Sequence, residues 1–163
     1  MALRDSTGFA SRTVNATDIE HMNTETQSTT HNSNVAAGKS VLIVGLDPAL
    51  IDFSDPAFAA FPGMNAARVM AGVSADQEHL KAMGYDARIC LTDFGETAEA
   101  VVLAQLKEKQ SDCILIGAGV RVIPSHFILF EKLINLVHEH APHARICFNT
   151  KPTDTAEAVR RWI

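Results

Sequence analysis

From residue 40 onward, short runs of consecutive apolar residues alternate with segments whose apolar side chains recur every three or four positions. The runs at 41–45, 87–91, 113–116 and 144–148 are apolar on successive residues, which predicts strands covered on both faces. Between them, residues 65–83 place Val69, Val73, Leu80 and Met83 on one stripe, and Gly84 supplies a C-terminal stop. Gly72 lowers the helix propensity there, and Ser74 with Gln77 has the spacing of a second helix start. Residues 96–109 bring Ala98, Val102 and Leu106 together. Pro124 opens a helix over 124–141 that Pro142 ends, and a last helix over 153–162 carries Asp154 and Glu157 at capping-box spacing.

This β-α-β-α-β-α-β-α order predicts a three-layer α/β sandwich around a four-stranded parallel sheet, because right-handed crossovers are nearly obligatory. The expected strand order is 2-1-3-4, as in flavodoxin-like folds. Residues 1–39 are of a different kind. They are rich in Ser, Thr and Asn and poor in large apolar side chains, so burial cannot offset their ordering entropy. A mobile tail is expected there, with a single domain over 40–163. Arg4 and Arg12 among hydroxyl residues fit a mitochondrial leader, but Asp5, Asp18, Glu20 and Glu25 have the wrong sign, and no apolar stretch marks a secretory signal. Met22 is an alternative start.

Composition narrows the function classes. The 163 residues are 47% apolar and 20% charged, ordinary for one globular domain. Fourteen basic residues against 19 acidic ones, a net charge of −5, argue against a nucleic-acid surface. The apolar runs fall far short of the ~20 residues a membrane span needs. Cys90, Cys113 and Cys147 all fall in predicted strands, where buried thiols act as small apolar groups, and a reducing, cytoplasmic setting is the expectation.

In an open parallel sheet the ligand crevice lies beyond the carboxyl ends of the strands, at the point where strand order reverses. Asp47 follows the first strand, Asp93 the second, Gly117-Ala118-Gly119-Val120-Arg121 the third and Asn149-Thr150-Lys151 the fourth. Gly117 and Gly119 would let backbone amides approach an anion that Arg121 grips; Asp93, Asn149 and Lys151 would complete the ligand contacts. Asp47 and His126 are the candidates to move a proton. Each has a plainer alternative: a tight turn for the glycines, a helix cap for Asp93, a loop cap for Asp47 and a structural role for His126. The chain lacks G-x-G-x-x-G, G-x-x-x-x-G-K-[ST] and G-x-S-x-G, which removes dinucleotide, P-loop and ordinary α/β-hydrolase readings. His138, His140 and His143 form no i, i+4 pair and Pro142 interrupts them, so neither metal nor cofactor is expected.

Two segments carry more apolar surface than a simple fold needs. Residues 48–63 are long for a strand-to-helix connection and hold Phe53, Phe58 and Phe61, which predicts a lid over the crevice or a contact with another chain. Helix 124–141 has one stripe of Phe127, Phe130, Ile134 and Val137 beside another of Leu129, Leu133 and Leu136. So broad an arc calls for a second neighbour, either the long loop or a second copy in a homodimer.

Val41-Leu42-Ile43-Val44 followed by Asp47-Pro48 resembles the opening of a response-regulator receiver domain. Residues 112–116 resemble its third strand and 144–150 its fourth, with Thr150 at the switch threonine. Gly117 stands where that family has its phosphoacceptor aspartate, and Gly45 and Leu46 replace its metal-binding acidic pair. The resemblance therefore implies a pseudo-receiver that is not phosphorylated in the usual way. Two functions follow: binding, with or without chemistry, of an anionic small molecule at the strand ends, or a non-catalytic module that dimerises through helix 124–141.

Overall fold

A computed structural model describes residues 38–56 and 62–163. The tail expected over 1–39 lies outside the described residues except for Gly38 and Lys39, as do Phe58 and Phe61 of the long loop.

The chain runs β1 (Ser40–Leu46), α1 (Ala66–Ala82), β2 (Asp86–Thr92), α2 (Ala98–Glu108), β3 (Cys113–Ile116), α3 (Ala118–Arg121), α4 (Phe127–His140), β4 (Arg145–Phe148) and α5 (Thr155–Arg160). Short 3-10 turns at Pro48–Leu50, Pro124–His126 and Pro152–Asp154 lead out of β1, into α4 and into α5. All strand pairs are parallel and the order is β2-β1-β3-β4. The sandwich and strand order expected from the sequence are what the chain adopts.

Strand periodicity divides the core in two. Leu42, Val44, Cys90, Ile114 and Ile116 point to one face, where Val102 and Leu106 of α2 and Leu129, Leu133 and Val137 of α4 cover them. Val41, Ile43, Ala87, Cys113, Leu115 and Cys147 point to the other, under Leu80 of α1 and Ala158 and Val159 of α5. The chain crosses from one helical layer to the other around β1 and β3, so the strand-order switch falls between those two central strands.

Three local expectations need correction. Gly72 and Ser74 do not break α1, which runs as one helix from an Asn65 cap, whose side chain accepts from Arg68 N at 2.9 Å. Burial of Leu80 and the partial burial of Val69 and Val73 outweigh the single glycine. Gly84, at φ +93°, takes the left-handed conformation that ends the helix. Asp154 forms no capping box with Glu157; its carboxylate turns back to accept from Thr150 N (3.0 Å), Thr150 Oγ1 (2.5 Å) and Lys151 N (3.2 Å). The second neighbour demanded by the wide arc of α4 is α2, which packs beside it on the same sheet face. Only the first turn of α4 keeps large apolar side chains in solvent, with Phe127 and Ile128 each 59% exposed.

The three cysteines are buried and unpaired as disulfides. Burial pushes the Cys90 thiol up to about 11. Cys113 and Cys147 touch across β3 and β4 at 3.4 Å, and contact with the Cys147 sulfur together with burial raises the Cys113 thiol. Their environment keeps them packing groups. No helix among the described residues is long and apolar enough to cross a membrane.

Candidate functional site

Because every strand points the same way, the connections after β1, β2, β3 and β4 emerge along one edge, and all the residues selected from the sequence lie there. They divide into scaffold and free groups.

Asp93 belongs to the scaffold. Its two carboxylate oxygens accept from Gly95 N (2.9 Å), Thr97 N (2.8 Å), Thr97 Oγ1 (2.9 Å) and Ala98 N (3.0 Å), closing the start of α2. The Gly95 amide, with help from Thr97 and Ala98, holds the Asp93 carboxyl below the ordinary range. Its capping alternative is the one the geometry displays. Gly117 serves close packing: its N–H donates to Val44 O at 2.9 Å, and a Cβ there would meet the same oxygen at 3.3 Å.

Asn149 is the hub of the β4 end. Its Oδ1 accepts from Ala118 N at 2.8 Å, so one backbone amide of the 117–119 turn is taken by the chain itself. Its Nδ2 donates to Thr155 Oγ1 at 3.0 Å, and that hydroxyl donates to Asp76 Oδ2 at 2.6 Å. Burial pushes the Asp76 carboxyl above its ordinary range, with the Thr155 hydrogen bond pulling the other way. The Asn149 backbone oxygen accepts from Arg121 Nη2 at 2.9 Å, and the guanidinium carbon lies 5.7 Å from the Phe148 ring centre. Arg121 is thereby oriented along the edge by β4. Asp76 and Thr155 escape sequence reasoning because they meet across 79 positions with no local spacing to mark them.

The free groups lie toward β1 and β3. Asp47 caps the Pro48–Leu50 turn through Oδ1, which accepts from Ala49 N at 2.9 Å, and its own N–H donates to Thr92 O at 2.8 Å. Its Oδ2 has no partner among the described residues. His126 ends the Pro124–His126 turn with Nδ1 3.0 Å from Gly119 O. A carbonyl accepts only, so Nδ1 carries a proton, and Nε2, a lone-pair acceptor in the neutral ring and a donor in the charged one, has no partner among the described residues. The imidazole leans on Phe94, ring centres 5.2 Å apart. Gly119 has open space where a Cβ would stand, and on the β4 side the Lys151 side chain is exposed, with the Asp154 carboxylate as its charged neighbour.

A cavity of about 200 Å³ lies at the opposite edge, between the ends of α2 and α4, with Ser111, Asp112, His140 and His143 on its wall. Two of those groups are already used: Asp112 Oδ2 accepts from Ser40 N at 2.7 Å, and Ser111 Oγ from Arg88 Nη2 at 3.4 Å. Among the described residues no three His, Cys, Asp or Glu side chains gather as a metal site.

What the carboxyl edge offers chemically is one imidazole of fixed orientation, one half-used carboxylate and two cations, bordered by the exposed side chains of Leu50, Phe94 and Val122. Compared with protein-family models and with curated proteins, the chain matches none.

Proposed function

We propose that the carboxyl edge binds an anionic small molecule and that His126 exchanges a proton with it. The observation that carries this reading is the His126 side chain: tethered through Nδ1 to Gly119 O, flanked by Phe94 and with no partner for Nε2 among the described residues. A histidine whose one nitrogen is fixed by a backbone carbonyl holds its other nitrogen ready as acceptor or acid, and imidazole is the side chain suited to proton exchange near neutrality. Arg121 and Lys151 supply positive charge on the β4 side, and Asp47 offers a second proton acceptor.

The test is a thermal-shift screen of anionic metabolites on the full chain and on His126→Ala. At least one compound should stabilise the wild-type chain, with the shift lost in the variant while its unliganded Tm stays unchanged. A screen without a stabilising compound, or a shift that survives the substitution, overturns the proposal. Arg121→Ala is the poorer probe, since it also removes the bond to Asn149 O and uncovers Phe148.

The exposure of Phe127 and Ile128 favours a second reading, a pseudo-receiver-like module that self-associates through the start of α4. Light scattering across micromolar concentrations tests it: a dimer that Phe127→Glu converts to monomer supports it, and a monomer throughout removes it. Leu133, fully buried, is no probe of that surface.

A further inference from the structure

The proposed site names a charge but not a body for its ligand. The edge carries more apolar surface than an inorganic anion can use. Phe94 is 45% exposed and Leu50 52% exposed, and they stand on neighbouring connections, because Asp47 N binds Thr92 O and brings the 47–50 turn against the end of β2. Phe94 is at once the ring against which His126 leans and a ring with solvent on its remaining surface. An exposed aromatic ring directly beside an imidazole whose Nε2 has no partner among the described residues is a two-part recognition element. The ring takes an apolar, preferably flat group, and the nitrogen takes the proton-bearing or acidic end.

From this juxtaposition we infer that the ligand is an organic carboxylate with an aromatic ring, the ring lying on Phe94 and Leu50 and the carboxylate accepting a hydrogen bond from His126 Nε2, which takes up its proton from the acid or from solvent. The inference rests on the reading of the carboxyl edge as a ligand site and deepens it to a chemical class. Phosphate and short aliphatic acids would leave Phe94 and Leu50 in water and gain nothing from them; a ring-bearing acid removes that apolar area from solvent.

Three probes distinguish the possibilities: inorganic phosphate, acetate and phenylacetate, each titrated into the full chain while the His126 imidazole resonances are followed by NMR. Phenylacetate should bind about tenfold more tightly than acetate, the size of advantage one aromatic contact gives. Phe94→Ala should erase that difference, so that acetate and phenylacetate bind alike, with circular dichroism confirming that the variant folds. If phosphate or acetate shifts His126 at least as tightly as phenylacetate, or if Phe94→Ala leaves the preference intact, the aromatic-acid assignment is overturned while the site reading stands. If no probe moves His126, both fall together.

Discussion

The two edges of the sheet are built from the same kinds of residue and use them differently. At the amino edge, charged groups turn inward on the chain. Asp112 holds the Ser40 amide, Arg88 spans Gln105, the Lys109 carbonyl and Ser111, and the Lys109 ammonium rests on Asp86. At the carboxyl edge the β4 end is knitted in this way through Asn149, Thr155 and Asp76, and the β2 end through Asp93. Toward β1 and β3 the Asp47 and His126 side chains are half used, and along this edge Leu50, Phe94, Val122, Phe127 and Ile128 stay in solvent, whereas Trp162 is the exposed large ring near the other end. An edge whose charged groups are bound to the chain serves folding; one that leaves an oriented imidazole and apolar rings uncovered keeps free energy in reserve for binding.

The largest test of that contrast is Asp112→Ala. It strands the Ser40 amide, on a residue that is itself buried, and should cost about 1–3 kcal/mol in urea unfolding, the range for a buried donor left without its acceptor. His126→Ala, at the other edge, should stay within about 0.5 kcal/mol of wild type, as expected for a partly exposed side chain outside the core. Equal losses would erase the distinction between the edges.

Much of this arrangement is legible in the sequence, and the reason is periodicity. Runs of consecutive apolar residues identify Ser40–Leu46, Asp86–Thr92, Cys113–Ile116 and Arg145–Phe148 to within about a residue at each end, because strands covered on both faces leave no polar alternation. Alternation with helices then brings Asp47, Asp93, Gly119, Arg121 and Asn149 to one edge. What the sequence does not yield is how those groups are spent. Asp93 is consumed by its own helix start, Ala118 N by Asn149, and Arg121 is oriented by a carbonyl 28 positions away, each a matter of atoms meeting in space. The single-turn α3 and the 3-10 turns are too short for a repeat to show. The surplus apolar arc of α4 signals a neighbour without naming it, and α2 proves to be most of the answer.

A pH series sharpens the contrast within the carboxyl edge. The Asp93 carboxyl is held below its unfolded value, chiefly by the Gly95 amide. Its contribution is therefore fully present above the unfolded value of about 3.9 and is lost as pH falls through the folded value. Asp76 has the opposite sign: burial raises it, so the folded chain takes up its proton more readily, and its contribution grows as pH drops from the folded value toward about 3.9. Melting curves from neutral pH to pH ~3 should show Asp93→Asn reducing the loss below pH ~4. Asp76→Asn should flatten a gain at the higher, weakly acid end. Superimposable profiles for the two variants would contradict the opposed assignments.

The smallest effect separates two glycines of one turn. A Cβ at Gly117 meets Val44 O at 3.3 Å, so Gly117→Ala must move β1 or α3 and should cost about 1 kcal/mol. Gly119 lies inside α3 with open space on its Cβ side among the described residues, so Gly119→Ala should instead stabilise the chain by about 0.4–1 kcal/mol, through the restricted unfolded state. The same methyl would stand beside the carbonyl that tethers His126, which gives the substitution a second use. A variant that melts higher yet binds the edge ligand more weakly would show Gly119 to be retained for approach at a cost in stability. A variant that melts higher and binds as before would assign that glycine to neither edge's task.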